Sequence, residues 1–152
     1  MTLVDAVMIT LHQVFAAVWA GSVVFMTVGV LPLAKEGHLE PEPVEMATGT
    51  LRSVSRASAV VLLLTGGHMA ANFYTVADLT GTVNGWLVLA MLGLWLVLIG
   101  LIEVSGSRLV DGLQAKKVRA PAHETLGWFR AASVVALLLL VIAGLLSSGA
   151  LV

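Results

Sequence analysis

Cysteine is absent from all 152 residues, which removes disulfides, thiolate metal sites and iron–sulfur clusters from consideration. Any metal on this chain must be held by His, Met or carboxylate. Charge is also scarce: 11% of residues are Asp, Glu, Lys or Arg, against 59% hydrophobic. A soluble domain of this length could not bury so much apolar side chain. Low-complexity tracts and internal repeats are lacking, and a formal net charge of -1 gives no surface for a nucleic acid. The start, Met1-Thr2-Leu3-Val4-Asp5, has none of the basic residues that open a secretory leader, so the first apolar segment is expected to remain as a helix.

What the chain does have is four long apolar stretches, roughly Val4 to Leu33, Ser53 to Tyr74, Gly85 to Leu109 and Leu126 to Ser148. About 20 such residues cross the ~30 Å hydrocarbon layer as a helix. The expectation is an all-α integral membrane protein: an antiparallel up-down four-helix bundle in a lipid bilayer, one domain over residues 1–152. Basic residues are confined to two places, Lys35, Arg52 and Arg56 around the first connection and Arg108, Lys116, Lys117, Arg119 and Arg130 around the third. The positive-inside rule makes those connections cytoplasmic and places both termini outside the cell membrane.

Turn formers mark the connections. Lys35 to Glu45 holds Gly37, Pro41, Pro43 and four glutamates and reads as a solvated loop, with Thr50 as cap of the second helix. Asn72 to Gly85 reads as an outer loop, and Pro121 suits a helix start. Small residues at four-residue spacing, such as Ala17 with Gly21 and Gly67 with Ala71, allow close helix packing.

Ionisable groups inside a membrane are costly and usually have a task. His12 lies about two turns into the first helix and His68 about two turns before the second emerges on the same side. From segment midplanes, His12 is expected roughly 10 Å and His68 roughly 5 Å toward the outside. Two facing imidazoles in a four-helix bundle are what a low-spin haem b needs, and Gly66, Gly67 and Gly21 offer side-chain-free surface for a porphyrin, with Trp19 as a wall. A rival set is His12 and His68 with Met8 and Met91, since thioether and imidazole together suit Cu(I). Near the inner face, Arg56, Glu103 and Arg130 are expected to form an Arg–Glu–Arg cluster joining helices two, three and four, structural or serving as a gate or relay. Trp86 and Trp128 fit interfacial anchors.

Particular runs carry a family resemblance. Leu11-His12, Val18-Trp19-Ala20-Gly21 and Pro32 resemble the first helix of CopD-type copper-resistance membrane proteins and of the related HemJ-type protoporphyrinogen oxidases. Arg52-Ser53-Val54-Ser55-Arg56 leading to Leu64-Thr65-Gly66 is similar to the second CopD helix, and Gly85-Trp86-Leu87-Val88-Leu89 to the third. The resemblance implies a four-helix superfamily concerned with copper in one branch and porphyrin oxidation in the other, with an early histidine, here His12, as a functional position. The lysine usual in helix three is missing, because Leu87 to Trp95 carries no charge, and this argues against porphyrinogen oxidation. Three functions stay open: a small b-type cytochrome, a copper uptake or tolerance protein, and a non-catalytic subunit. A redox or membrane-complex partner, or a homo-oligomer, is compatible with each.

Overall fold

The computed structural model describes residues 2–148; Met1 and residues 149–152, the ends of the expected 1–152 domain, lie outside the described residues. Nearly all of the described chain is helical, and four helices are long and apolar enough to cross a membrane. Helix α1 (Leu3–Phe25) starts on a capping box: Thr2 Oγ1 accepts from Asp5 N–H at 3.2 Å, and the Asp5 carboxylate accepts from Thr2 N–H at 2.7 Å. It runs through a π-helical segment, Met26–Val30, into α2 (Leu31–Glu36). Pro32 explains the widened turn. Its ring has no N–H and would collide with the Val28 carbonyl in a regular helix, whereas the wider turn lets Leu31 N–H reach Met26 O.

Gly37 ends α2 in the left-handed region, φ 81°, where Cβ-bearing residues are disfavoured. The expected loop Lys35 to Glu45 shrinks accordingly. Helix α3 (Pro41–Phe73) begins with Pro41 in its first turn, and Thr50 sits inside it rather than capping it. Proline lacks the N–H that a first turn leaves unpaired in any case, so two prolines here start a helix instead of excluding one. The same holds for α6 (Arg119–Ser148), which begins seven residues before the apolar run, and α5 (Val83–Gln114) outlasts its own by five. Hydropathy located the membrane part of each helix, not its ends.

A short helix, α4 (Val76–Gly81), lies in the connection after α3 and is capped by Thr75 and Asp78. It rests directly on Gly85 of α5, where a Cβ would run into the backbone of Asp78 and Leu79. In the bundle α1 packs on α3 and α6, while α5 packs on α3 and α6, giving the ring α1-α3-α5-α6. Large apolar side chains such as Val60, Leu64 and Leu96 are exposed, as a lipid-facing surface requires.

Packing is uneven along the bundle axis. The fully buried side chains, among them Trp19, Val23, Leu31, Leu98, Ile102, Leu109 and Phe129, gather in the half that carries the basic residues. In the half that holds the start of α1 and the end of α6, residues 3–18, 66–84, 86–97 and 137–148 are all half-buried or exposed. We call these the basic half and the terminal half.

Two outcomes follow for α4. Gly85→Ala should lower the melting temperature of the detergent-solubilised protein, an overpacking loss of about 1–3 kcal/mol, whereas Gly93→Ala, whose Cβ meets open space, should be neutral or raise it by about 0.5–1 kcal/mol. The Asp78 carboxyl is held below its usual range, first by the Thr75 hydroxyl and then by the Thr75 backbone N–H. Its stabilisation is present above the ordinary carboxylate value and is lost as pH falls through the depressed one. Amide exchange of residues 76–81 should therefore stay protected at pH 5 and loosen first on further acidification; Asp78→Asn should remove that pH dependence.

Candidate functional site

In the terminal half a polar stripe runs along the seam between α1 and α3. Asp5, Met8 and His12 follow one another at three- and four-residue spacing, which keeps them on one face of α1. Facing them on α3 are Thr65, His68 and Asn72 at the same spacing. His12 Nδ1 lies 2.8 Å from Thr65 Oγ1, and His68 Nε2 lies 3.2 Å from Asp5 Oδ1. Met8, half-buried, falls between these two contacts. Seven residues separate Asp5 from His12 on α1 and three separate Thr65 from His68 on α3, so the two imidazoles lie about one turn apart along the axis.

The hydrogen bonds favour one form of each imidazole. Thr65 gives its single hydroxyl proton to Val61 O at 2.7 Å, so it can only accept from His12. The proton of His12 is therefore on Nδ1 and the lone pair on Nε2, which has no partner among the described residues. This is the arrangement by which a hydrogen-bonded neighbour readies a histidine to ligate a metal. His68 Nε2–H donates to Asp5, and Asn72 Nδ2, which donates to the His68 carbonyl at 2.8 Å, stands 3.3 Å from both ring nitrogens. Asp5 therefore caps α1 and also holds His68.

Several sequence expectations change on this geometry. His68 stands opposite Asp5 and His12 opposite Thr65 and Gly66, so His68 is about one turn nearer the terminal end, the reverse of the expected order. The α3 helix starts twelve residues earlier than its apolar run, which moved the midplane from which depth was reckoned. Nothing in the arrangement supports a haem held between the two histidines, since each ring is hydrogen-bonded to the facing helix. The His12 ring sits directly against α3, where a Cβ on Gly66 would come 3.1 Å from His12 Cε1, and His68 is already against α1. Gly66 makes room for the imidazole, while a Cβ at Gly21 or Gly67 would meet no atom within 4 Å. Trp19 is buried and donates from Nε1 to Ser55 Oγ at 2.9 Å, two turns deeper in the core. Met91 is half-buried on α5, which is not a member of this seam.

The second polar group lies in the basic half. Glu103 of α5 accepts from Arg56 Nε at 2.8 Å and from Arg52 Nη2 at 2.8 Å, both on α3. Arg52 takes the place expected of Arg130, which is exposed on α6 and has no carboxylate within ion-pair distance among the described residues. The reason is steric: Gly106 leaves room for the Arg52 stem, whose Cδ would be 2.9 Å from a Cβ there. The spacing of Arg52 and Arg56, four residues apart on one helix face, was the signal for this pairing. The spacing of Asp5 and His12 was the corresponding signal for Asp5.

Among the described residues no three His, Cys, Asp or Glu side chains converge on one point. A hard, carboxylate-rich metal cage is therefore not built here, and the donors on hand are the soft and borderline ones of the α1–α3 stripe. The family model described as CopD, copper resistance protein D, matches residues 45–148. The chain belongs to the CopD family. That match covers about two-thirds of the chain and takes in α5, α6 and nearly all of α3, with His68, Arg52, Arg56 and Glu103; His12, Met8 and Asp5 lie before it. No curated protein and no solved structure matches. As a CopD family member with four spanning helices, the chain is a multi-pass membrane protein in a lipid bilayer, which also agrees with the resemblance drawn from its helix motifs.

The tautomer assignment can be tested directly. Imidazole nitrogen NMR of the wild-type protein should show His12 as the Nδ1–H form. In Thr65→Val the preference should relax toward the Nε2–H form common in water, and a spectrum unchanged by that substitution would refute the hydrogen-bond assignment.

Proposed function

We propose that this CopD family member handles copper, receiving the ion at the terminal end of the α1–α3 seam, with His12 Nε2 as its main ligand. The observation that carries this reading is the Nδ1–Thr65 hydrogen bond, which turns the lone pair of His12 outward from its own anchor. Met8, one turn away on the same face, supplies a thioether. An imidazole and a thioether suit Cu(I), which accepts two or three ligands and needs no carboxylate cage. Copper reaching His68 would replace the proton that Nε2 shares with Asp5, so uptake at this outer position would release a proton and weaken as pH falls.

The two stations stand on facing sides of the α1–α3 seam about one turn apart, so an ion can be passed inward along the stripe without crossing bare hydrocarbon. Beyond His12 the seam closes on Trp19 and Ser55, and the Arg52–Glu103–Arg56 group shuts the basic end with positive charge, a barrier to a cation. In this reading the stripe faces outside and the basic end faces the cytoplasm, as the positive-inside rule requires.

Competition with a Cu(I) chelator on the detergent-purified protein is the test. One copper should bind per chain; His12→Ala should weaken it by at least tenfold, and Thr65→Val by a smaller factor, because support of a ligand is worth about 10–100-fold. Undiminished binding in both His12→Ala and Met8→Leu would sink the proposal, and a Soret band in the same sample would return a haem-based reading. Labelling of Lys116 by a membrane-impermeant amine reagent should fail in intact cells and succeed after lysis.

A further inference from the structure

Arginine is in excess at the edge of the bundle. Arg52, Arg56 and Arg108 surround a single carboxylate, Glu103, whose two oxygens already accept three guanidinium N–H bonds. Asp111, one turn beyond Arg108, is not within ion-pair distance of it among the described residues. Two positive charges are therefore left without an anion. Arg52 Nε is buried and has no hydrogen-bond partner, and the guanidinium of Arg108 is held at 5.1 Å over the Trp128 ring.

These groups border one cleft of about 380 Å³, lined by Arg52, Glu103, Val104, Ser107 and Arg108. The Ser107 hydroxyl accepts and donates no hydrogen bond to the protein among the described residues. Val104 is 42% exposed, so the cleft opens sideways, toward lipid. Its level matters. From Val83 to Ile102 α5 carries no charge, and those residues span about 30 Å at 1.5 Å each, the thickness of the hydrocarbon layer. The cleft begins at the next residue, at the height of the lipid phosphates, beside a tryptophan of the kind that marks that interface.

We propose that this cleft is a binding site for the headgroup of an anionic glycerophospholipid. The phosphate lies against the Arg108 guanidinium, beside the positive charge of Arg52, and accepts from the Ser107 hydroxyl, while an acyl chain runs along the exposed face of α5 past Val104. Guanidinium suits phosphate because its N–H donors form a planar fork. Glu103 keeps Arg52 in place and, by its own charge, repels a lipid seated too deep. The site stands apart from the α1–α3 stripe and does not depend on the copper reading.

The experiment uses the full chain in nanodiscs of phosphatidylcholine with a minor fraction of phosphatidylglycerol, and counts retained lipids by native mass spectrometry. The wild type should retain phosphatidylglycerol in preference to phosphatidylcholine. Arg108→Gln and Ser107→Ala should each reduce that preference, the arginine change by roughly fivefold, with unchanged thermal melting in phosphatidylcholine alone. Lys116→Gln, a charge loss at the same end but outside the cleft, should leave it intact. Equal loss in Lys116→Gln and Arg108→Gln would reduce the effect to general surface attraction and overturn the proposal. Displacement of the lipid by inorganic phosphate at comparable concentration would overturn it too, since the cleft would then be a site for a soluble anion.

Discussion

The carboxylate of Glu103 shared by Arg52 and Arg56 is the interaction on which the rest of the bundle depends. An ionised side chain at the margin of the hydrocarbon is tolerable only when paired, and removal of one partner from such a group leaves an uncompensated charge. The pairing therefore fixes α3 against α5 in one register. Helix α3 is also the partner of α1, and there the buried Trp19–Ser55 bond holds the register that brings Thr65 and His68 opposite His12 and Asp5. Gly106 is part of the same constraint, because the Arg52 stem crosses α5 where that residue has no side chain.

Uneven packing divides the labour between the two halves. Membrane helices gain little from apolar contact as such, and close packing with interhelical hydrogen bonds holds them together. Both are concentrated in the basic half, where Trp19 donates to Ser55 and Ser133 donates to Thr27, whose one hydroxyl proton is shared between the Val23 and Phe129 carbonyls. The terminal half is joined by half-buried polar contacts that can rearrange without a core being broken. Ligand sites and moving parts are drawn from such low-stability regions, and the histidines sit in this one.

How much of this was legible in the sequence depends on the length scale. Four spans and their alternation followed from runs of apolar residues, because the bilayer sets the length. Helix ends did not, since the polar turns at Pro41 to Arg52 and Arg119 to Thr125 are helical without being hydrophobic. The two membrane histidines were visible as rare residues, yet their order in depth was not, for it depends on those same ends. Glu103 and Arg56 were found as intramembrane charges. That Arg52 and not Arg130 completes the group rests on an absent Cβ at Gly106, a fact about shape that charge patterning does not carry. Likewise the role of Gly66 was read as space for a cofactor, when the space is taken by the ring of His12.

The π-helical segment between α1 and α2 turns the first span into a two-faced element. One added residue in a turn shifts all later side chains by about 100° around the axis. Ahead of it α1 shows its buried side to α3; beyond it Leu31 and Ala34 of α2 are buried in a stretch packed on α6. A single continuous rod thus packs on both α3 and α6 along α1 and chiefly on α6 along α2, and so laces together two helices that are not neighbours in the ring. Loss of one residue between Met26 and Val30 would restore an even pitch and swing Leu31 and Ala34 off the face that α6 buries.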